Sequence, residues 1–381
     1  MLEVSLNVKQ LKLSQGREDN MIKIKTDVLK TMLSKAIKVC SFNKMLPLTE
    51  LMEVSIQNKI LGIRTTDNVT NLFLQKELEE DNEDMRVVVD ATLLTSLINK
   101  TTTEFVELVL GDSSLTVIAN GVYNLDLRVD ESNEIIKFPE MKTSTKEGKE
   151  FDFKQLVTKI GVCKSAVPDN MDAIELNNYY LKDNVVATNA FKVTSIPNVD
   201  ELKSEEMLIS KDLGKVLIEM DLGKAKYSLE DNLLAITGEG FVLTSKVNQD
   251  LDKYPLEGID MMLKEKFNHS VVIDRRKILD LLDRLSLFVA EYENNSINLT
   301  FTKDKLNITN AKKTSDENIS YVKAPEEDLV EFNCIINILH MKEQLEALPS
   351  KEITLYFGGS DRAIKVVDGD ITEIISLMNG E

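Results

Sequence analysis

KQLVTKIGVCKSAV, residues 154–167, spaces Leu156, Ile160, Cys163 and Val167 by steps of three and four, which puts them on one face of a helix. Two other stretches read in a similar register, VLKTMLSKAIKV at 28–39 and KILDLLDRLSLFV at 277–289. With Leu29, Leu156 and Ile278 taken as equivalent, the copies lie 127 and 122 residues apart. Each leads into a strand pair that ends in a related string: Arg64-Thr-Thr-Asp, Val186-Ala-Thr-Asn and Ile308-Thr-Asn. Repetition at a fixed period outranks any local motif as an indicator of architecture.

Each copy has a second half. A helical segment comes first, from Ala91, Lys211 or His340, and three strand patterns follow. Their period-2 alternation and β-branched content suit sheets with one buried face. Turns at Asn120-Gly121, Gly238-Glu-Gly240 and Asp368-Gly369 precede the last strand of each copy, and Gly238-Glu-Gly240 reads as a hairpin. The first two copies end alike, in Lys137-Phe-Pro-Glu-Met and Lys253-Tyr-Pro-Leu-Glu-Gly. The polar stretch Lys142–Glu150 reads as a linker, and Glu257–Ser270 reads as a second one in which Met261, Met262 and Leu263 could pack. The expected division is a leader, 1–20, as an added strand or the product of an upstream start, then repeats at 21–141, 142–264 and 265–381.

Composition excludes several classes. Of 381 residues, 43% are hydrophobic and 29% charged, the profile of an ordered globular chain. No apolar run approaches the ~20 residues that span a bilayer. Cys40, Cys163 and Cys334 are odd in number and far apart, so they read as small core residues. The first residues alternate apolar and polar without the apolar block of a secretory signal, and a reducing cytoplasm is the expectation. No phosphate-loop or dinucleotide fingerprint occurs, and His269 and His340 are the only histidines. No catalytic set, metal site or cofactor is expected. The acidic run Glu77–Asp84 reads as a solvated loop; the enzymatic alternative would have it hold a metal for phosphoester chemistry. Asp274, Asp280 and Asp283 are expected to pair along their helix with Arg275, Arg276, Lys277 and Arg284.

Net charge is −18, which argues against nucleic acid until its placement is considered. The expected helices, 26–42, 90–101, 150–167, 210–222, 273–288 and 339–348, carry 14 basic and 12 acidic residues. The excess of two leaves −20 on everything else. A surface of such helices would attract phosphate weakly and without regard to base sequence.

Three copies of helix–sheet–helix–sheet, the string VATNAFKV at 186–193 and the Phe/Tyr-Pro ends resemble the bacterial replication sliding clamp, the β subunit of DNA polymerase III, over residues 21–381. The resemblance implies an α+β fold of three tandem DNA-clamp domains, each with two helices and two antiparallel sheets, forming half of a ring. It implies a head-to-tail homodimer around duplex DNA that tethers the DNA polymerase catalytic subunit, the clamp loader and other proteins with a clamp-binding motif. Such a protein performs no covalent step, needs no cofactor or membrane, and works at the replication fork on the nucleoid. The family's peptide pocket carries over to Leu176, Thr188, Ala190, Phe191, Lys192, Val193, Pro255 and Ile259, with Asn337, His340, Ile374, Leu377 and Met378 from the last repeat. Thr188 and Asn337 would orient the peptide backbone. Lys38, Lys44, Lys159, Lys164 and Lys215 would face phosphates.

Departures bear on the site. Asn189-Ala190-Phe191-Lys192-Val193 stands where the family commonly has Asp-Gly-His-Arg-Leu, and Ile375-SLMNGE replaces a Met-Pro-Met-Arg type of ending. Asn43 beside Lys44 takes the place of an expected arginine, and Asp169-Asn170-Met171 lacks the usual basic and tyrosine residues. The pocket is therefore expected to be present but reshaped. A specialised clamp of phage or plasmid type, recruiting a restricted partner set, is the alternative.

Overall fold

The computed structural model describes residues 21–41, 45–79, 84–141, 147–168, 174–220, 223–325, 329–359 and 362–378. The leader, Asn43, Lys44, the 169–171 loop and the start of the first linker lie outside them.

Strand, helix and three strands form a half-repeat. The first is β1 (Met21–Lys25), α1 (Thr26–Ala36), β2 (Leu51–Gln57), β3 (Ile60–Thr66) and β4 (Thr70–Glu77). The second is β5 (Met85–Asp90), α2 (Ala91–Lys100), β6 (Phe105–Leu110), β7 (Ser114–Ile118) and β8 (Val122–Asp126). The third is β9 (Lys149–Asp152), α3 (Phe153–Cys163), β10 (Asn178–Leu181), β11 (Asn184–Thr188) and β12 (Lys192–Pro197). The fourth is β13 (Met207–Ser210), α4 (Lys211–Glu219), β14 (Lys224–Glu230), β15 (Leu233–Gly238) and β16 (Phe241–Lys246). After α5 (Leu256–Leu263) the fifth is β17 (His269–Asp274), α6 (Arg275–Leu285), β18 (Ser296–Phe301), β19 (Lys305–Asn310) and β20 (Asp316–Ser320). The sixth is β21 (Phe332–Asn337), α7 (Ile338–Ala347), β22 (Glu352–Phe357), β23 (Ala363–Asp368) and β24 (Ile371–Ser376).

Five of the six lead strands end in a residue that caps the helix that follows, whereas β1 ends in Lys25, which makes no side-chain cap. Asp90, Asp152, Asp274 and Asn337 accept hydrogen bonds from helix N–H groups at 2.8–3.2 Å, and Ser210 Oγ accepts from Leu213 N at 3.1 Å. Paired halves exchange lead strands, so β1 joins β6-β7-β8 and β5 joins β2-β3-β4. The last strands then join halves in pairs. Antiparallel pairing of β4 with β16, and of β12 with β24, makes two eight-stranded sheets, while β1-β6-β7-β8 and β20-β19-β18-β21 remain four-stranded. All four sheets are antiparallel, and the fold is α+β.

The described residues pack as two compact units, one of those from 21 to 151 with 215–247 and the other of those from 152 to 214 with 248–378. Unit 1 holds the β4–β16 seam, where Leu72 faces Leu243 in register and both are fully buried. Unit 2 holds the β12–β24 seam and a core in which α6 and α7 cover the apolar faces of β18, β19, β22 and β23. Cys163 and Cys334 are buried there, as expected of small core residues, and all three cysteines are free thiols.

Two expectations need correction. Glu257–Ser270 is not a simple linker, because Leu256–Leu263 is helical and packs Ile259, Met262 and Leu263 inward. On α6 the charges mostly pair with other elements. Asp274 caps, Arg284 binds Glu317 of β20, Asp283 binds Lys342 of α7, and Arg275 donates to the Leu345 and Ser350 carbonyls. Of the acidic run, Glu79 pairs with Lys25 at 2.7 Å, and residues 80–83 lie outside the described residues.

Glu239-Gly240 forms the two-residue hairpin turn before β16, as read from the sequence. Gly240 has φ +75°, a Cβ there would sit 2.8 Å from the Gln75 carbonyl oxygen, and its own carbonyl accepts Gln75 N at 2.8 Å. Gly240→Ala should therefore destabilise unit 1 by at least about 1 kcal/mol, read as a lower denaturant midpoint for tyrosine fluorescence.

Candidate functional site

The related strings seen in sequence are side-chain-locked turns. At the end of β11 the Asn189 Oδ1 accepts from Phe191 N and Lys192 N, both at 3.0 Å. Thr188 Oγ1 accepts from Ala190 N at 3.1 Å and donates to Lys192 O at 2.9 Å. Ala190 is held at φ +73° in consequence. Unit 1 repeats the turn atom for atom. Asp67 Oδ1 accepts from Val69 N and Thr70 N, Thr66 Oγ1 binds Asn68 N and Thr70 O, and Asn68 has φ +77°. Each turn delivers its strand to a seam, through Ser376 N to Phe191 O at 2.8 Å and Lys246 N to Val69 O at 3.2 Å.

Among the described residues, unit 2 adds a helix beside this turn. Pro255 leads into α5, and between α5 and the turn lies a cavity of about 890 Å³. Leu176, Thr188, Ala190, Pro255 and Ile259 line it as a group. Sequence reading missed Gly258, Met261 and Met262, which line it from α5, and the charged rim of Glu175, Lys253, Glu265 and Arg362. Met261 is 66% exposed, an unbranched side chain able to adapt to an apolar guest. Its apolar character with Met262 and Leu263 was the one available signal.

The remaining pocket candidates do not line this cavity. Val193 and Ile374 face each other across the seam and are buried in the cluster behind it, with Val186, Tyr254 and Ile259. Phe191 is 59% exposed and stacks on His340, ring centroids 5.6 Å apart and 27° between planes. Burial and the nearby Lys192 charge lower the His340 pKa. Lys192 is buried, and its ammonium binds the Glu343 carboxylate. Leu377 and Met378 line a second cavity, about 760 Å³, against β18, β19 and β21. Thr188 and Asn337 are engaged internally. The Thr188 hydroxyl is spent on its turn, and the Asn337 amide caps α7 while donating to Asn294 O at 2.9 Å.

Of the basic candidates, Lys38 is exposed and pairs with Glu219 at 3.2 Å. Lys164 and Lys215 are exposed, Lys159 is half-buried, and Lys44 lies outside the described residues. Lys30 of α1 donates to Thr101 O at 2.6 Å.

Compared with solved structures, the chain superposes on the DNA polymerase III β subunit of Thermotoga maritima with a TM-score of 0.83 and 16% identity, over 95% of this chain and 100% of that one. The chain has the sliding-clamp fold. The DNA polymerase sliding clamp of Bacillus subtilis gives a TM-score of 0.81 at 16% identity, over 95% of this chain and 99% of that one. The β subunit of Borrelia burgdorferi, solved in complex with a natural product, gives 0.83 at 15%, over 95% and 100%. No family model matches the sequence, and no curated protein matches it. At such identities the sliding-clamp fold persists through its apolar periodicity, caps and turns rather than through particular side chains.

Asn189→Ala removes the acceptor of two backbone N–H groups. It should cost about 1–2 kcal/mol and speed amide exchange at Phe191 and Lys192 above that of their neighbours.

Proposed function

We propose that this chain is a DNA sliding clamp with three clamp domains, 21–141, 142–264 and 265–381. Two copies close head to tail around duplex DNA. The ring tethers a DNA polymerase and other replication or repair proteins, and the clamp loader, through linear peptides seated at the α5 cavity. Processivity arises from topology and raised local concentration, without covalent chemistry, at the replication fork in the cytoplasm. No helix among the described residues is long and apolar enough to cross a membrane.

The observation that carries this reading is the pairing rule of the last strands. The last strand of one repeat's first half pairs with the last strand of the next repeat's second half, as β4–β16 and β12–β24. Applied across the chain, the rule leaves β20 and β8, each a free sheet edge. An unpaired edge is a template for another chain, and β20 of one copy meeting β8 of the next satisfies both. Counting back from the preceding strands, Glu317 and Tyr123 hold the positions of the Leu72–Leu243 and Thr194–Glu373 pairs. Leu287 is 81% exposed and Phe288 53%, and the Phe288 carbonyl accepts Asn310 Nδ2 at the end of β19, so apolar surface lies near the β20 edge. Lys159, Lys164 and Lys215 would face phosphate, and Lys38 would do so as one half of an ion pair, which suits a weak, sequence-blind grip.

The aliphatic cavity fits a peptide anchor held by contact area, and the exposed Phe191 ring, which follows Ala190 of its lining, would extend that contact. The replacement of an Asp-Gly-His-Arg-Leu pattern by Asn189–Val193 favours a restricted partner set as the second reading.

Wild-type protein should sediment as a dimer at micromolar concentration, and Leu287→Asp with Phe288→Asp as a folded monomer. A wild-type monomer contradicts ring closure. Phe191→Ala should weaken binding of a peptide with a Leu-Phe anchor by about 1–3 kcal/mol in a fluorescence titration. Stimulation of long primer extension by many bacterial polymerases would exclude the restricted reading.

A further inference from the structure

At one equivalent position the two seams differ in kind, apolar in one and ionisable in the other. In unit 1 it is Leu243, packed against Leu72. In unit 2 it is Glu373, opposite Thr194 and wholly shielded from solvent. Apolar packing satisfies the first seam, so the fold does not require a carboxyl there.

Glu373 Oε2 accepts from Thr194 Oγ1 at 2.6 Å and from Gln344 Nε2 at 2.5 Å. Gln344 Nε2 also donates to Val193 O at 3.2 Å and lies 3.4 Å from Ile374 O. One amide thus ties α7 to both strands of the seam, at the two residues behind the α5 cavity. Glu373 Oε1 and Gln344 Oε1 are buried without a hydrogen-bond partner among the described residues. A bare carboxylate oxygen in that position is costly, whereas a proton on it removes the charge.

We infer that neutral Glu373 is the positioning residue of the peptide site, holding α7 against the β12–β24 seam, and that its ionisation loosens this seam and weakens peptide binding. The inference rests on the peptide-site reading above and adds to it a dependence on pH.

Burial pushes the Glu373 carboxyl up to about 8, against the downward pull of Thr194, Gln344 and the Lys192 charge. From β12 the group facing it is Lys192, bound to Glu343 of α7. From α3 it is the Cys163 thiol, itself pushed up by burial and by Glu373, with Lys159 acting on that thiol in the opposite sense. His340 of α7 feels Lys192 and titrates below its ordinary range. In the neutral to mildly alkaline range Glu373 is therefore the group that changes. Once ionised, it competes with Glu343 for Lys192. That lysine follows Phe191 in the chain, next to Ala190 of the cavity lining, so the Phe191–His340 stack moves with it.

The sign for stability follows. The unfolded carboxyl loses its proton near 4.5 and the folded one near 8, so the folded state binds more protons between them and unit 2 loses stability as pH rises through that window.

The test is a titration of the full chain with a fluorescein-labelled pentapeptide carrying a Leu-Phe anchor and no group ionising between pH 6.5 and 9.5. The wild-type Kd should rise at least fivefold from pH 7 to 9, with its midpoint near 8, and the Glu373→Gln profile should be flat. A flat wild-type profile, or the same rise in Glu373→Gln, overturns the inference. Glu373→Leu, the residue of the other seam, serves if the glutamine variant does not fold. If the peptide binds at no pH, the peptide-site reading fails instead. The seam is then read without ligand, as amide-exchange protection of β12 and β24 corrected for intrinsic rates. Protection lost above pH 8 in wild type alone supports the inference, and identical protection in both proteins refutes it.

Discussion

Antiparallel pairing between last strands is the interaction on which the rest depends. A half-repeat of strand, helix and three strands cannot cover its own sheet edges; each half gives its lead strand to its partner, and four of the six pair their last strand with a neighbouring repeat. The Thr-Asp and Thr-Asn turns make this reproducible. Four side-chain hydrogen bonds in each fix where β4 and β12 begin, and a backbone bond from Lys246 or Ser376 fixes the register of the incoming strand. A one-residue slip would turn Leu72 and Leu243 out of the core, so register and burial enforce each other.

One scaffold yields different surfaces at its two seams because of what lies beside them. Unit 2 has α5, whose Ile259 is sunk in the cluster and whose Met261 stands at the mouth, and this makes a cavity next to the turn. The same unit carries a buried carboxyl where the other has leucine. The α5 cavity and a buried carboxyl thus sit on opposite sides of one strand pair.

The repeats, the helices and the paired strands of each half were legible because their apolar spacing extends over ten or more residues and recurs. The helices expected to reach 167 and 288 do so through short 3-10 turns at Lys164–Ala166 and Ser286–Phe288. The lead strands escaped notice, being four to six residues long and paired with distant partners. The helix α5 was hidden by its polar flanks. Leu176, Thr188, Ala190, Pro255 and Ile259 converge on one cavity, but their type alone would have marked them as core or surface. The internal engagement of Thr188 and Asn337 is a matter of hydrogen-bond geometry that spacing does not carry. Glu373 escaped for a related reason. In ITEIIS, a lone acid reads as solvent-facing, whereas α7 on one face and the α5 cluster on the other bury both sides of β24.

The account's central claim is that β20 and β8 are complementary edges awaiting each other on separate copies. By the internal repeats Asn124 and Asp316 occupy the positions of the Ile374–Val193 and Thr244–Asn71 pairs, at which Cβ atoms lie about 4.5–5.5 Å apart. Mild oxidation of a chain carrying Asn124→Cys and Asp316→Cys measures this directly. A covalent species that stops at two copies, and that stays on nicked circular DNA until the circle is cut, is the predicted result. Failure to cross-link while the protein remains folded, or an open-ended ladder of oligomers, would contradict it.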